Sequence, residues 1–318
     1  MLRLIVGILF IGVMTPSFAS AQVSTDPLTI NISPNYPRPY EMVTVTVSSN
    51  AIDLAASTIT ISANGSVVEE GLRSTQIKMG GPGTRTTISV NAQGAEGTFT
   101  KQATIAPADV SVIVEPIATN HPLYKGASLV PSEGSVRIVA LADIRTAPGT
   151  RVPNEQIVYT WKLGTQILEA ESGLGKNVLR ASAPPQYRDA TITVTATTQS
   201  KSISAQTTVN ISPVDPIVRI YRTDPLEGID FDHALSGTFT LAGAEETFRA
   251  LPFFFKNTPT LQWTLNGNRS GTGPDVTVRS TGGSGTALLG ITATGPEARA
   301  ETSLTLRFSS GSTGIFGR

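Results

Sequence analysis

One stretch recurs three times along the chain, and its period excludes most folds. The clearest copy is Thr260-Leu261-Gln262-Trp263-Thr264-Leu265-Asn266-Gly267, answered downstream by Leu289-Gly290-Ile291-Thr292-Ala293-Thr294. The middle copy is Tyr159-Thr160-Trp161-Lys162-Leu163-Gly164, answered by Ile192-Thr193-Val194-Thr195-Ala196-Thr197. The first is Thr58-Ile59-Thr60-Ile61-Ser62-Ala63-Asn64-Gly65, answered by Ile88-Ser89-Val90-Asn91-Ala92. In each answering segment apolar and polar residues alternate. That places Ile88, Val90 and Ala92, then Ile192, Val194 and Ala196, then Leu289, Ile291 and Ala293 on one side of a strand. Ser89, Thr193, Thr195 and Thr292 face the other side, and Thr and Val suit a pleated, half-buried surface. On a helix the same residues would scatter around the axis.

A repeat at a similar spacing in every copy marks a repeated structural unit. Trp161 and Trp263 are expected in the cores, with Ile61 standing in for Trp in the first copy. Turn chemistry falls between the alternating runs. Asn64-Gly65 is a hairpin signal, and Gly80-Gly81-Pro82-Gly83 and Gly282-Gly283-Ser284-Gly285 read as loops before the answering strands. Further strands are expected at 27–32, 43–47, 99–105, 110–114, 136–141, 217–221 and 237–241. No stretch reads as an amphipathic helix of ten or more residues.

Residues 1–21 read as an export signal. Arg3 supplies the positive charge, Leu4 to Met14 the apolar run, and Ala19-Ser20-Ala21 a small-residue cleavage site before Gln22. The run is shorter than the roughly 20 residues a spanning helix needs. The mature chain is therefore expected to carry no transmembrane span. Its expected location is extracellular, at the cell surface or periplasmic. Three domains are expected at 22–107, 108–212 and 213–308, followed by a flexible Gly/Ser tail at 309–318. Ala106-Pro107-Ala108-Asp109 and Ser212-Pro213-Val214-Asp215-Pro216 read as linkers, the second stiffened by two prolines.

The Trp strand, the Thr-rich answering strand and the proline-rich joints together resemble tandem bacterial immunoglobulin-like domains, including the PKD-like type. The resemblance spans most of residues 25–310. It implies three β-sandwiches in series that serve as surface stalks, adhesin modules, or pilus-associated or envelope parts, without catalytic residues. The expected role is that of a non-enzymatic structural or adhesion-type protein of the bacterial envelope or surface, acting as a semi-rigid rod. Its expected partners are envelope or surface proteins or glycans. The alternative is a carbohydrate- or protein-binding module whose specificity lies in the long loops 118–133 and 222–234.

Composition narrows the chemistry. The chain has no cysteine, which excludes disulfides, thiol catalysis and thiolate metal sites. Lys plus Arg equals Asp plus Glu at 24 each, so no charge imbalance points to nucleic acid. No Gly-x-Ser-x-Gly elbow, His-Glu-x-x-His pair or phosphate loop is present, and Gly173-Leu174-Gly175-Lys176-Asn177 reads as a turn. His121 and His233 are the only imidazoles. Neither a catalytic residue nor a cofactor is assigned.

Two stretches merit examination as sites. Asp224, Glu227, Asp230 and Asp232, with His233 beside them, could offer oxygen ligands to calcium, or could simply cap turns in a solvated loop. Phe253-Phe254-Phe255 form a candidate contact patch. A strand there would turn Phe254 away from its two neighbours.

Overall fold

The computed structural model describes residues 27–309, apart from 123, 133, 148, 186 and 242. The segment 1–21, expected to direct export, and the tail beyond residue 309 lie outside the described residues. No helix among those described is long and apolar enough to cross a membrane. Helix is confined there to two single 3-10 turns, Asn154–Gln156 and Glu169–Glu171.

The described residues form two compact units. The first holds residues up to Asn31, with Val45–Thr75 and Ile88–Ala103, and the second holds Ile32–Thr44, Gln76–Thr87 and Thr104 onward.

The first repeat consists of β1 (Thr29–Ser33), β2 (Met42–Ser48), β3 (Thr58–Ala63), β4 (Ser66–Glu70), β5 (Ser74–Lys78), β6 (Thr86–Gly94) and β7 (Gly97–Ile105). Its sheets have the orders β1-β2-β5 and β4-β3-β6-β7. In the first unit, β3 turns into β4 over Asn64 and Gly65, with φ of 50° and 84°. Such left-handed pairs match the twist of a two-residue hairpin, and Asn and Gly tolerate them best. Opposite β3, Ile61 pairs with Val90 and Ile59 with Ala92. These four residues and Ile88 are fully buried.

In the second unit, the middle repeat begins with β8 (Asp109–Ile117), β9 (Ser135–Asp143) and the small hairpin β10 (Arg145–Thr146) and β11 (Thr150–Arg151). It continues through β12 (Ile157–Leu163), β13 (Gln166–Ile167), β14 (Gly173–Leu174), β15 (Val178–Ser182), β16 (Ala190–Thr198) and β17 (Ser204–Ile211). A sheet ordered β15-β9-β8 opposes one ordered β13-β12-β16-β17. Residues from both sheets, including Val136, Ile138 and Leu179 on one and Trp161, Ile192 and Val194 on the other, share one core. Across the outer face, hydroxyls pair instead, as in Thr193 with Thr208 at 2.9 Å. Ala108, expected in a linker, is 1% exposed and belongs to this core. Its methyl is small enough to be taken into the sandwich just before β8.

The third repeat comprises β18 (Ile217–Asp224), β19 (Gly228–Ile229), β20 (Thr238–Leu241), β21 (Glu245–Phe253), β22 (Thr260–Leu265), β23 (Asn268–Thr272), β24 (Asp275–Arg279), β25 (Gly285–Thr294) and β26 (Arg299–Phe308). Its sheets run β19-β18-β21-β24 and β20-β26-β25-β22-β23. β20 pairs in parallel alongside β26. Phe248, Ala250 and Val278 meet Trp263, Leu289 and Ile291 in its core.

In every repeat the Trp or Ile strand sits beside its answering strand, in the pairs β3–β6, β12–β16 and β22–β25. In each repeat that pair shares a sheet with the strand that follows the answering strand, and the repeat's opening strand lies in another sheet. The fold is all-β, with tandem immunoglobulin-like sandwiches.

A buried indole brings an N–H that must find an acceptor. The Trp161 indole donates to the Lys176 carbonyl at 2.9 Å, and that of Trp263 to the Gly273 carbonyl at 3.0 Å. The Gly173–Asn177 turn thus serves the core. Its Asn177 side chain also donates to the Ala140 carbonyl at 3.3 Å.

Candidate functional site

The second unit's middle and third repeats meet through the segments expected to be loops and linker. Val214, between the two linker prolines, donates its N–H to the Val130 carbonyl at 2.8 Å and accepts from Ser132 N–H at 3.2 Å. Thr119 donates to the Phe255 carbonyl at 2.7 Å and accepts from Phe254 N–H at 3.2 Å. Backbone hydrogen bonds therefore tie this joint at two places.

The second tie explains the aromatic run. Strand β21 ends at Phe253, and Phe254 adopts φ of 62°. The left-handed residue breaks the alternation expected of a strand. Phe253 and Phe254 enter one cluster with Leu251, while Phe255 turns into the third repeat's core. A non-glycine residue is held there only because the surroundings fix it. The backbone ladder to Thr119 and the burial of the ring supply that constraint. Phe253, Phe254 and Phe255 are 6%, 6% and 2% exposed, so the chain itself occupies most of the candidate contact patch. Tyr124 does part of the covering, with its ring 5.5 Å from Phe253 and 5.8 Å, edge-on, from Phe254.

The acidic loop begins as a hairpin. Thr223 pairs with Ile229 and Asp224 with Gly228. The Asp224 carboxylate accepts the N–H groups of Leu226 at 2.8 Å and Glu227 at 3.1 Å. These bonds, helped by Arg222, hold its pKa below the usual value. Asp230 likewise accepts from the Asp232 N–H at 3.1 Å. Arg222 is drawn chiefly to Glu246, donating at 2.8 Å, and that bond raises its own pKa. Among the described residues no three His, Asp or Glu side chains are gathered to hold a metal ion. Asp224 and Asp230 thus act as turn caps, and His233 is exposed.

The two long loops, far apart in sequence, converge on one cleft of about 300 Å³. Leu251 and Phe253 form its buried floor. Tyr221 and Phe231 from the third repeat and His121 and Tyr124 from the middle one make its walls. The His121 ring lies 5.0 Å from Phe231, which in turn lies 6.0 Å from Tyr221. Exposed Lys125 and Asp232 stand at the rim. Burial raises the Tyr221 pKa against the opposing pull of Arg219, so its phenol stays protonated at neutral pH. Tyr124, Tyr221 and Phe231 were not singled out in the sequence. The available signal was an aromatic residue within or beside each long loop, with nothing local to pair them.

No protein-family model and no curated protein sequence matches the chain. Among solved structures it is similar to three N-terminal domains of the highly immunogenic outer capsid protein of bacteriophage RB49. The identity is 12%, covering 89% of this chain and 99% of that one, with a TM-score of 0.27. It is similar to Sidekick-1 immunoglobulin domains 1–5 at 14% identity, covering 88% of this chain and 58% of that one, with a TM-score of 0.31. The central fibronectin-III array of RIM-binding protein matches at 9% identity, over 90% and 98% of the two chains, with a TM-score of 0.30. Overlaps this loose carry no argument about role, and the fold rests on the chain's own strand pairing.

Proposed function

We propose that the chain is an exported, non-enzymatic structural or adhesion-type protein of the bacterial cell envelope or surface, with domains at 22–107, 108–212 and 213–308. The observation that carries this reading is the joint between the middle and third repeats. A flexible linker would leave the backbone of residues 212–216 to water. Here Val214 is hydrogen-bonded to Val130 and Ser132, and Thr119 to Phe254 and Phe255. Such a joint supports a semi-rigid series of modules that holds surface components at a set spacing. The even charge balance and hydroxyl-rich outer faces suit an exported β-protein. Fractionation of producing cells tests the reading. The protein is expected outside the cytoplasm with Gln22 as its N-terminus, and residues 212–216 are expected to resist limited proteolysis. Cytoplasmic retention with Met1 intact, or rapid cleavage at 212–216, would count against it.

The cleft favours a second reading, a binding module. Loops 118–133 and 222–234 supply most of its walls and both of its rim charges.

A further inference from the structure

We propose that the cleft between loops 118–133 and 222–234 binds a neutral saccharide unit, held between the middle and third repeats. This deepens the binding-module reading and rests on it. A volume of about 300 Å³ lies at the lower end of small-molecule sites, which run from about 300 to 1,000 Å³. The size suits one small ring better than an extended chain.

The lining then selects the chemistry. Leu251 and Phe253 offer an apolar floor, and the rings of Tyr221, Phe231 and Tyr124 rise around it. A ligand must therefore present apolar surface on one side. Polar groups occupy the edge, where Lys125 donates, Asp232 accepts, and the Tyr221 phenol can do either. A pyranose meets both demands, with C–H groups on a ring face and hydroxyls around its rim. Each hydroxyl both donates and accepts, so one ligand satisfies Lys125 and Asp232 together. The opposite charges of those two side chains favour a neutral ligand over an anionic or cationic one. An aromatic side chain from a partner protein would fill the floor but offer the two rim charges nothing. Because both repeats contribute walls, the ligand binds only the docked joint and stabilises it by linkage.

The test uses the purified chain against a mixed array of neutral, acidic and basic glycans and aromatic-containing peptides. Hits are followed by calorimetry with the wild type, Tyr221→Phe and Asp232→Asn. The first variant removes only a hydroxyl, and the second alters an exposed residue, so both are expected to melt as the wild type does. Binding of a neutral glycan that weakens about tenfold in each variant is the expected result. A neutral glycan bound equally by all three proteins would place the site elsewhere and overturn the proposal. Hits confined to peptides or charged glycans would overturn the saccharide assignment while leaving the binding-module reading standing. No hit of any class would remove both.

Discussion

Replacing Phe254 by alanine should loosen the joint between the middle and third repeats without unfolding either. The ring is 6% exposed and packs with Leu251, Phe253 and the edge of Tyr124. Truncating a buried Phe to Ala costs about 3–5 kcal/mol. The lower end applies here, because this cluster is a small satellite whose neighbours can partly close the gap. Of that loss, the aromatic pairing with Tyr124 accounts for about 0.5–1.5 kcal/mol. Phe254→Gly provides an internal control. Glycine gives up one further carbon, worth about 0.8 kcal/mol. It relieves the left-handed strain at φ of 62°, worth about 1–2 kcal/mol. The glycine variant should therefore be no less stable than the alanine one. A melt of a multidomain chain is a poor readout, since it need not be two-state. Amide hydrogen exchange reports the joint directly. The Thr119 amide donates across the joint to Phe255, so a loss of about 3 kcal/mol speeds its exchange roughly a hundredfold. Amides in β16 and β25 should keep their rates. Unchanged exchange at Thr119, equal acceleration of the core amides, or a glycine variant much worse than alanine would refute the reasoning.

Trp263→Phe should cost the third repeat about 2–3 kcal/mol, from lost volume and the orphaned Gly273 carbonyl. The fluorescence of Trp161 should report a middle repeat that melts as before. The Tyr159 phenol, buried and donating to Asn154 at 3.0 Å, has its pKa pushed up from 10.0 to about 12, chiefly by burial. Below pH 10 both folded and unfolded chains hold the proton. Between there and about pH 12 only the unfolded chain releases it, so stability falls across that window. Alkaline unfolding curves should show a steeper slope for the wild type than for Tyr159→Phe, in which the buried Tyr221 phenol still contributes. Calcium should leave the melting temperature unchanged, because Asp224 and Asp230 already cap turns; an upward shift abolished by Asp224→Ala would contradict that.

The period-two pattern determined that the chain is built of half-buried strands. The side chains of Ile88, Val90 and Ala92, like those of Ile192, Val194 and Ala196, are buried as their alternation requires. Burial on one face of a strand is written in neighbouring residues, and so is turn chemistry such as Asn64-Gly65. The Trp spacing likewise located two cores without any knowledge of the indoles' partners. The cleft has no such local signature. It exists because Thr119, His121 and Tyr124 meet Phe231, Phe253 and Phe254, more than a hundred residues away in sequence. The left-handed turn at Phe254 is also invisible locally, since Phe in a β-rich run prefers to continue the strand. Only the hydrogen bonds to Thr119 and the burial of the ring reverse that preference, and both are contacts that the third dimension supplies.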